Sequence, residues 1–237
     1  MDLSLHHERA RERGVDKPVY WIVRAFLQPA LLIWFRVGRF AREHVPKTGG
    51  VILAANHKSF LDPFVIAVCV RRPVYFVAKQ ELFRRRWQGW LLNALGAFPV
   101  RRGESDEDMV ETAKHIVGRG DVVVIFPEGT RIRTADELGN PKRGVGRLVL
   151  ETGAPVVPVA VTGTHRARRG WRIKPVKVRV RFGPALRYPQ VETASPRLAA
   201  RVTDRIWPCV ELQWRWLRGL DQPPRPIQWL EQLRPAA

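Results

Sequence analysis

The heptapeptide NHKSFLD, residues 56–62, sets a histidine and an aspartate five positions apart. On one continuous helix that spacing would hold the two side chains about 140° apart, and they could not meet. If His57 sits in a turn leaving a strand and Asp62 in the first turn of the next helix, the carboxylate reaches one imidazole nitrogen. It then fixes the tautomer and leaves the other nitrogen free as a general base. Ser59 and Asp62 also have the S-x-x-D spacing of a capping box ahead of an apolar helix. Capping explains those two residues but not the histidine. Ser59 lies two residues from its own histidine and has no G-x-S-x-G elbow around it, so it reads as a cap or helper and not as a nucleophile. Asn56 and Ser59 are polar neighbours that could orient an acceptor.

Two further segments carry charge suited to phosphate. GAFPVRRG, residues 96–103, ends an apolar run in Arg101 and Arg102 between glycines, and guanidinium groups pair bidentately with phosphate. FPEGTR, residues 126–131, runs from apolar residues into Glu128, Gly129, Thr130 and Arg131. Gly129 permits a sharp turn and close backbone approach, and Arg131 would be a second phosphate ligand. Glu128 is acceptor-only when ionised, so it could orient Arg131 or a substrate hydroxyl. Lys79 ends another apolar run and is a third phosphate candidate, while Lys142 and Arg143 precede an expected helix N-terminus, which favours anions. No metal site is expected: the chain has two cysteines, and His6 and His7 read as part of a solvated leader.

The order NHKSFLD, GAFPVRR, FPEGTR and VVPVAV resembles the four sequence blocks of the glycerolipid acyltransferase family, over roughly residues 35–190. The resemblance implies transfer of a fatty acyl group from acyl-CoA or acyl carrier protein to the free hydroxyl of 1-acyl-glycerol 3-phosphate, giving phosphatidic acid for phospholipid synthesis. It implies that His57 is the general base, Asp62 its orienting carboxylate and Arg102 a phosphate ligand. Glu128, Gly129 and Arg131 would bind the acceptor, and the apolar block around Pro158 would shape the site or acyl channel. No cofactor is implied, because the thioester is already activated. The family also implies an apolar N-terminal segment seated in the membrane. Pro99 stands where many members carry a bulky apolar residue, so either Arg101 or Arg102 could be the one that turns inward.

These groups need a frame. Apolar runs at 51–56, 74–78, 97–100, 121–127 and 156–161 read as strands, and 176–182 alternates with period two like an edge strand. Helical patterns fall at 62–70, 83–95, 106–117 and 144–152, with a last stretch at 196–218 interrupted near Pro208. The alternation predicts a single α/β domain with a largely parallel central sheet flanked by helices. The polar motifs then lie beyond the carboxyl ends of its strands. The expected layout is a polar leader at 1–18, a membrane-interface helical segment at 19–45, the catalytic domain at 46–190, and a helical and irregular extension at 191–237. On a helical wheel Arg24, Gln28, Arg36, Arg39 and Arg42 fall within about 120°, one basic stripe on an otherwise apolar cylinder. Pro29 would kink or divide that helix. In the last stretch, Trp207, Trp214, Trp216 and Trp229 near Arg215 and Arg218 could form a second interfacial belt.

Lys and Arg total 41 against 22 Asp and Glu, a formal charge of +19. That excess favours anionic partners, here a phospholipid surface, lysophosphatidate and either acyl-CoA or an acidic carrier protein. Nucleic acid is the rival suggested by charge alone, and no nucleic-acid motif supports it. Glycerol 3-phosphate, a lysophospholipid or another lipid is the rival acceptor within the same family. A membrane scaffold without activity is disfavoured by the intact His57 and Asp62. No apolar run reaches the roughly 18–20 residues that a membrane span requires, and the first residues do not form a signal peptide. The expected location is therefore the cytoplasmic face of the cell membrane, peripheral or monotopic.

Overall fold

The computed structural model describes residues 3–100, 107–169 and 171–220. The apolar runs form strands β2 (Val51–Ala55), β3 (Val74–Lys79), β4 (Ala97–Val100), β5 (Val122–Ile125) and β6 (Val156–Thr162). With β1 (Gly38–Phe40) and β9 (Arg179–Phe182) they make one seven-stranded sheet in the order β1-β9-β6-β2-β5-β3-β4. Its five apolar strands are mutually parallel, and β9 is antiparallel to β6. The segment at 176–182 is therefore not an edge, because β1 pairs outside it. A separate two-stranded hairpin joins β7 (Arg168–Arg169) to β8 (Arg172–Ile173).

Strands buried on both faces must be covered on both faces. Helices α2 (Lys17–Trp34) and α3 (Asp62–Cys69) lie on one side, where Val65, Ile66 and Cys69 pack with Val51, Leu53 and Ala55. Helices α5 (Glu107–Gly118), α6 (Gly144–Thr152) and α7 (Pro196–Arg218) lie on the other, where Ile116, Leu148 and Ile206 pack with Ile52 and Ala54. α6 and α7 touch backbone to backbone at Gly146, where a Cβ would sit 2.0 Å from the Ala199 carbonyl oxygen. α7 runs unbroken through Pro208, whose exposed position leaves the missing hydrogen bond facing water. Its tryptophans do not form a belt. Trp214 is buried against Ala160 and Leu217, Trp207 packs on the core, and Arg181 covers Trp216; Trp229 lies outside the described residues.

The N-terminus departs most from expectation. Residues Ser4–Glu12 form a packed helix, α1, and its two histidines are buried. His6 Nδ1 pairs with Asn93 Oδ1 at 2.6 Å, and His7 Nδ1 with Thr112 Oγ1 at 2.8 Å. They tie α1 to α4 (Arg86–Ala94) and α5, and the charged residues that follow them, Glu8, Arg9, Arg11 and Glu12, had masked this buried face. α2 is capped by Asp16, which accepts from the Val19 amide, and continues across Pro29 as one helix. It stops at Trp34, because Arg36 and Ala41 take left-handed backbone and the chain turns into β1.

The predicted basic stripe therefore does not exist as one face. Arg24 is buried and donates to the carbonyl oxygens of Ala67 at 2.8 Å and Val70 at 2.5 Å, while Arg42 donates to that of Cys69 at 2.7 Å. Both arginines close the C-terminal end of α3, where unpaired carbonyls attract cations. The apolar side of α2 remains uncovered: Trp21, Ile22, Phe26, Ile33 and Trp34 are all exposed. No helix among the described residues is long and apolar enough to cross a membrane.

Candidate active site

Strand β2 ends by handing the chain to a tight turn, and Asn56 sets its position. Its side-chain amide donates to the Val161 carbonyl at 3.0 Å and its oxygen accepts from the Val161 amide at 2.8 Å. Asn56 thus extends the β2–β6 pairing and does not face an acceptor. The next residue, His57, lies in the turn, and Asp62 opens α3. His57 Nδ1 lies 2.9 Å from Asp62 Oδ2.

Asp62 has no solvent exposure, and all its hydrogen-bond needs are met by the chain. Oδ2 also accepts from the amides of Lys58 at 2.6 Å and Ser59 at 2.7 Å, and Oδ1 accepts from Thr164 Oγ1 at 2.6 Å. A carboxylate surrounded by donors acts as acceptor throughout, so His57 donates from Nδ1, and in the neutral ring the lone pair is at Nε2. That nitrogen has no partner among the described residues. Phe126 stacks on the imidazole with centroids 4.1 Å apart, restricting the ring's rotation. Ser59 contributes its amide to Asp62, the reciprocal arm of the expected capping box, and its hydroxyl accepts from the Leu61 amide at 3.3 Å.

Glu128 has a different job from orienting Arg131. It is buried, with Oε2 accepting from the His57 amide at 2.7 Å and Oε1 from the Gly139 amide at 3.0 Å. It does not pair with Arg131; it binds the loop at 129–143 to the histidine turn. Burial pushes its carboxyl above the usual 4.5, opposed by those two amides and by Lys58. Further ties cross the same interface. The Ile132 amide donates to the His57 carbonyl at 2.9 Å, and Lys58 Nζ donates to the carbonyls of Thr134, at 2.7 Å, and Glu137. Lys58 carried no signal in the sequence beyond its place inside the motif. Burial lowers its ammonium below the usual 10.5, opposed by Glu128 and aided by Arg218.

A cleft of about 450 Å³ opens beside this turn, lined by Lys58, Ser59, Phe60, Arg131, Arg133, His165 and Arg168. Of these, Ser59 and Arg131 were expected. Arg133, His165 and Arg168 converge only through the fold, as does Thr164, a hundred residues from Asp62. Gly129 turns at φ 65° beside Lys142, and Thr130 is exposed next to it. Lys79 ends β3, two places from β2 across β5, and is not in the cleft. Arg101 and Arg102 lie outside the described residues. A neighbouring cavity of about 590 Å³ is apolar throughout, with Leu27, Leu31 and Trp34 of α2 facing Phe60, Leu61 and Phe64. Phe60 borders both spaces. Among the described residues, no three His, Cys, Asp or Glu side chains gather as they would around a metal ion.

Comparison with known proteins bears on this arrangement. A family model described as "Acyltransferase" matches residues 39–162. The 1-acyl-sn-glycerol-3-phosphate acyltransferase of Bacillus subtilis is 31% identical over 125 residues, covering 52% of this chain and 61% of that protein. The protein of the same name from Pseudomonas aeruginosa is 31% identical over 167 residues, covering 69% of this chain and 63% of that one. The chain thus spans about three fifths of the length of these two relatives. The solved structure of the 1-acyl-sn-glycerophosphate acyltransferase from Thermotoga maritima matches with a TM-score of 0.63 and 25% identity, over 86% of this chain and 81% of that one.

Proposed function

The chain belongs to the acyltransferase family, and from that premise we propose that it moves a fatty acyl group from a thioester donor to the free hydroxyl of 1-acyl-glycerol 3-phosphate, giving phosphatidic acid. The observation that carries this reading is the position of His57. Its Nδ1 is committed to Asp62, and its turn lies where a cationic cleft and an apolar cavity meet at Phe60. A phosphate with a fatty chain attached needs both surroundings, one for each end.

In the proposed reaction, His57 Nε2 takes the hydroxyl proton of the acceptor as its oxygen bonds to the thioester carbonyl carbon. The imidazolium formed is stabilised by Asp62, which accepts from Nδ1 throughout. The tetrahedral intermediate then expels the thiolate, the C–S bond breaks, and His57 returns the proton to sulfur. Arg131 and Arg133 hold the phosphomonoester, with Arg102 or Arg101 assigned to the same task by their motif, and the acyl chain lies in the apolar cavity. Much of the rate comes from holding two bound substrates in register. The donor is acyl-CoA or acyl carrier protein, and no metal or organic cofactor takes part.

The proposed setting is the cytoplasmic surface of the cell membrane. The exposed apolar side of α2 would lie at the level of the headgroups, and the charge of +19 would draw it to anionic lipid. The apolar cavity opens along this same helix, so a lipid substrate would enter without crossing water.

The test is thiol release from palmitoyl-CoA by detergent-purified protein, with lysophosphatidate, glycerol 3-phosphate and lysophosphatidylcholine as parallel acceptors. Turnover is expected on lysophosphatidate and lost by about 10²–10⁴-fold in His57→Ala, the usual contribution of a general base. Turnover on another acceptor alone would overturn the substrate, and near-normal turnover in His57→Ala would overturn the base.

A further inference from the structure

On the β6 side of β2, away from β5, a further cavity of about 400 Å³ opens between the ends of β6, β9 and α7. Lys58, Arg166, Lys177, Arg179 and Arg218 line it, against one carboxylate, Asp136. Five cations facing one space repel one another, and a bound polyanion relieves that repulsion. On the wall shared with the catalytic cleft, burial together with the charges of Arg166 and Lys58 lowers the His165 imidazole.

The cavity is built by the fold and is not a chance gathering of surface side chains. Gly163 follows β6 at φ 92°, and a Cβ there would lie 2.2 Å from the Lys177 carbonyl oxygen. Only glycine lets the segment entering β9 close against this turn. Trp214 and Leu217 of α7, both buried, form the floor. Three of the cations are held in place: Lys58 by the carbonyls of Thr134 and Glu137, Arg179 by the Leu217 carbonyl at 2.9 Å, and Arg218 by Asp136. Held donors lose less freedom when they bind a ligand.

Acyl transfer between two phosphorylated substrates requires two anion sites. The cleft of Arg131 and Arg133 serves the acceptor, and Lys58 and His165 border that cleft and the further cavity alike. We propose that the further cavity binds the phosphates at the nucleotide end of a coenzyme A thioester, so that donor and acceptor reach His57 from the two sides of Lys58. This assignment rests on the acyl-transfer reading above. It selects a nucleotide and not a carrier protein, because five cations match the several phosphates at the nucleotide end of coenzyme A, whereas a carrier protein's prosthetic arm brings a single phosphodiester.

The probe is adenosine 3′,5′-bisphosphate, titrated calorimetrically into the full chain and into variants matched by melting temperature. The double variant Arg166→Glu/Lys177→Glu changes two exposed side chains. It is expected to weaken binding by about tenfold or more, the scale for losing a charge-assisted contact. Asp136→Asn is expected to tighten it. In steady-state kinetics the double variant should raise KM for palmitoyl-CoA far more than KM for lysophosphatidate. Unchanged bisphosphate binding in the double variant, or a rise confined to the lysophosphatidate KM, would overturn the assignment. If acyl carrier protein supports turnover while the wild type binds no bisphosphate, acyl transfer stands and the nucleotide site falls. If bisphosphate binds, and is lost in the double variant, but no thioester is turned over, the site stands and the acyl-transfer reading falls.

Discussion

Asp62 and Glu151 are both buried carboxylates with several hydrogen bonds, and they are surrounded in opposite ways. Around Asp62 stand two backbone amides, the Thr164 hydroxyl and an imidazole. Around Glu151 stand permanent cations: Arg147 Nε at 2.9 Å and Lys114 Nζ at 3.2 Å. Burial alone would raise the Glu151 carboxyl, but its hydrogen bonds to Arg147 and Lys114 outweigh that and hold it below the usual 4.5. Glu151 lies in the last turn of α6, where the helix dipole disfavours an acid, and its cations offset that cost while joining α5 to α6. Asp62 instead faces a ring whose second nitrogen is uncommitted, in a turn whose next residues, Lys58 to Phe60, line a cleft. Burial and hydrogen-bond saturation therefore do not by themselves mark a reactive carboxylate. What distinguishes Asp62 is a titratable partner with one side left open.

Asp62→Asn should be the sharpest test of that difference. An amide cannot accept from every donor now aimed at Asp62, and the imidazole loses its enforced tautomer. Turnover should fall about 10³–10⁴-fold, the scale for a carboxylate that fixes a catalytic imidazole; a loss of less than about tenfold would reduce Asp62 to a structural residue. Thr164→Val removes one of Asp62's donors. It should lower kcat about tenfold with KM for both substrates little changed, and Thr164→Ser should restore it. A change in KM without one in kcat would place Thr164 in substrate binding instead.

Glu151→Gln should do the reverse, leaving turnover within about twofold while costing roughly 1–3 kcal/mol of stability. In a chain of this size that is a melting temperature lower by about 2–4 °C per kcal/mol. The smallest effect is the pH dependence of that loss. Because folding lowers the Glu151 value, its contribution is present above 4.5 and disappears as pH falls through the folded value. Wild type and Glu151→Gln should therefore converge in stability on acidification. A constant gap between them down to pH 3 would remove Glu151's ionisation from the explanation.

The same contrast separates what could be read in the chain from what could not. His57 and Asp62 are joined by one turn, so their spacing and the strand before them were enough to predict the contact. The strands were legible because each is buried on both faces and must be apolar throughout. Arg36, Arg39 and Arg42 were misassigned because the wheel assumed one continuous helix, and left-handed backbone at Arg36 and Ala41 ended it; Arg24 stays within α2 but turns inward onto the last carbonyls of α3. Glu128 was legible as important, but its partner is a backbone amide seventy-one residues away, and every residue except proline carries one.

The chain by itself determined the layered fold, the strand ends that hold the chemistry, and the histidine–carboxylate pair, because each follows from local periodicity or from neighbours within one turn. The tertiary structure alone decided that Thr164 completes Asp62, that Glu128 and Lys58 fasten the 129–143 loop over the turn, and that cations from the turns after β2 and β6, from the start of β9 and from α7 face one cavity. Most of those contacts join segments about seventy to more than a hundred residues apart. Their partners are backbone groups or common charged side chains, so only the packing of the elements distinguishes the chosen ones from the many alternatives.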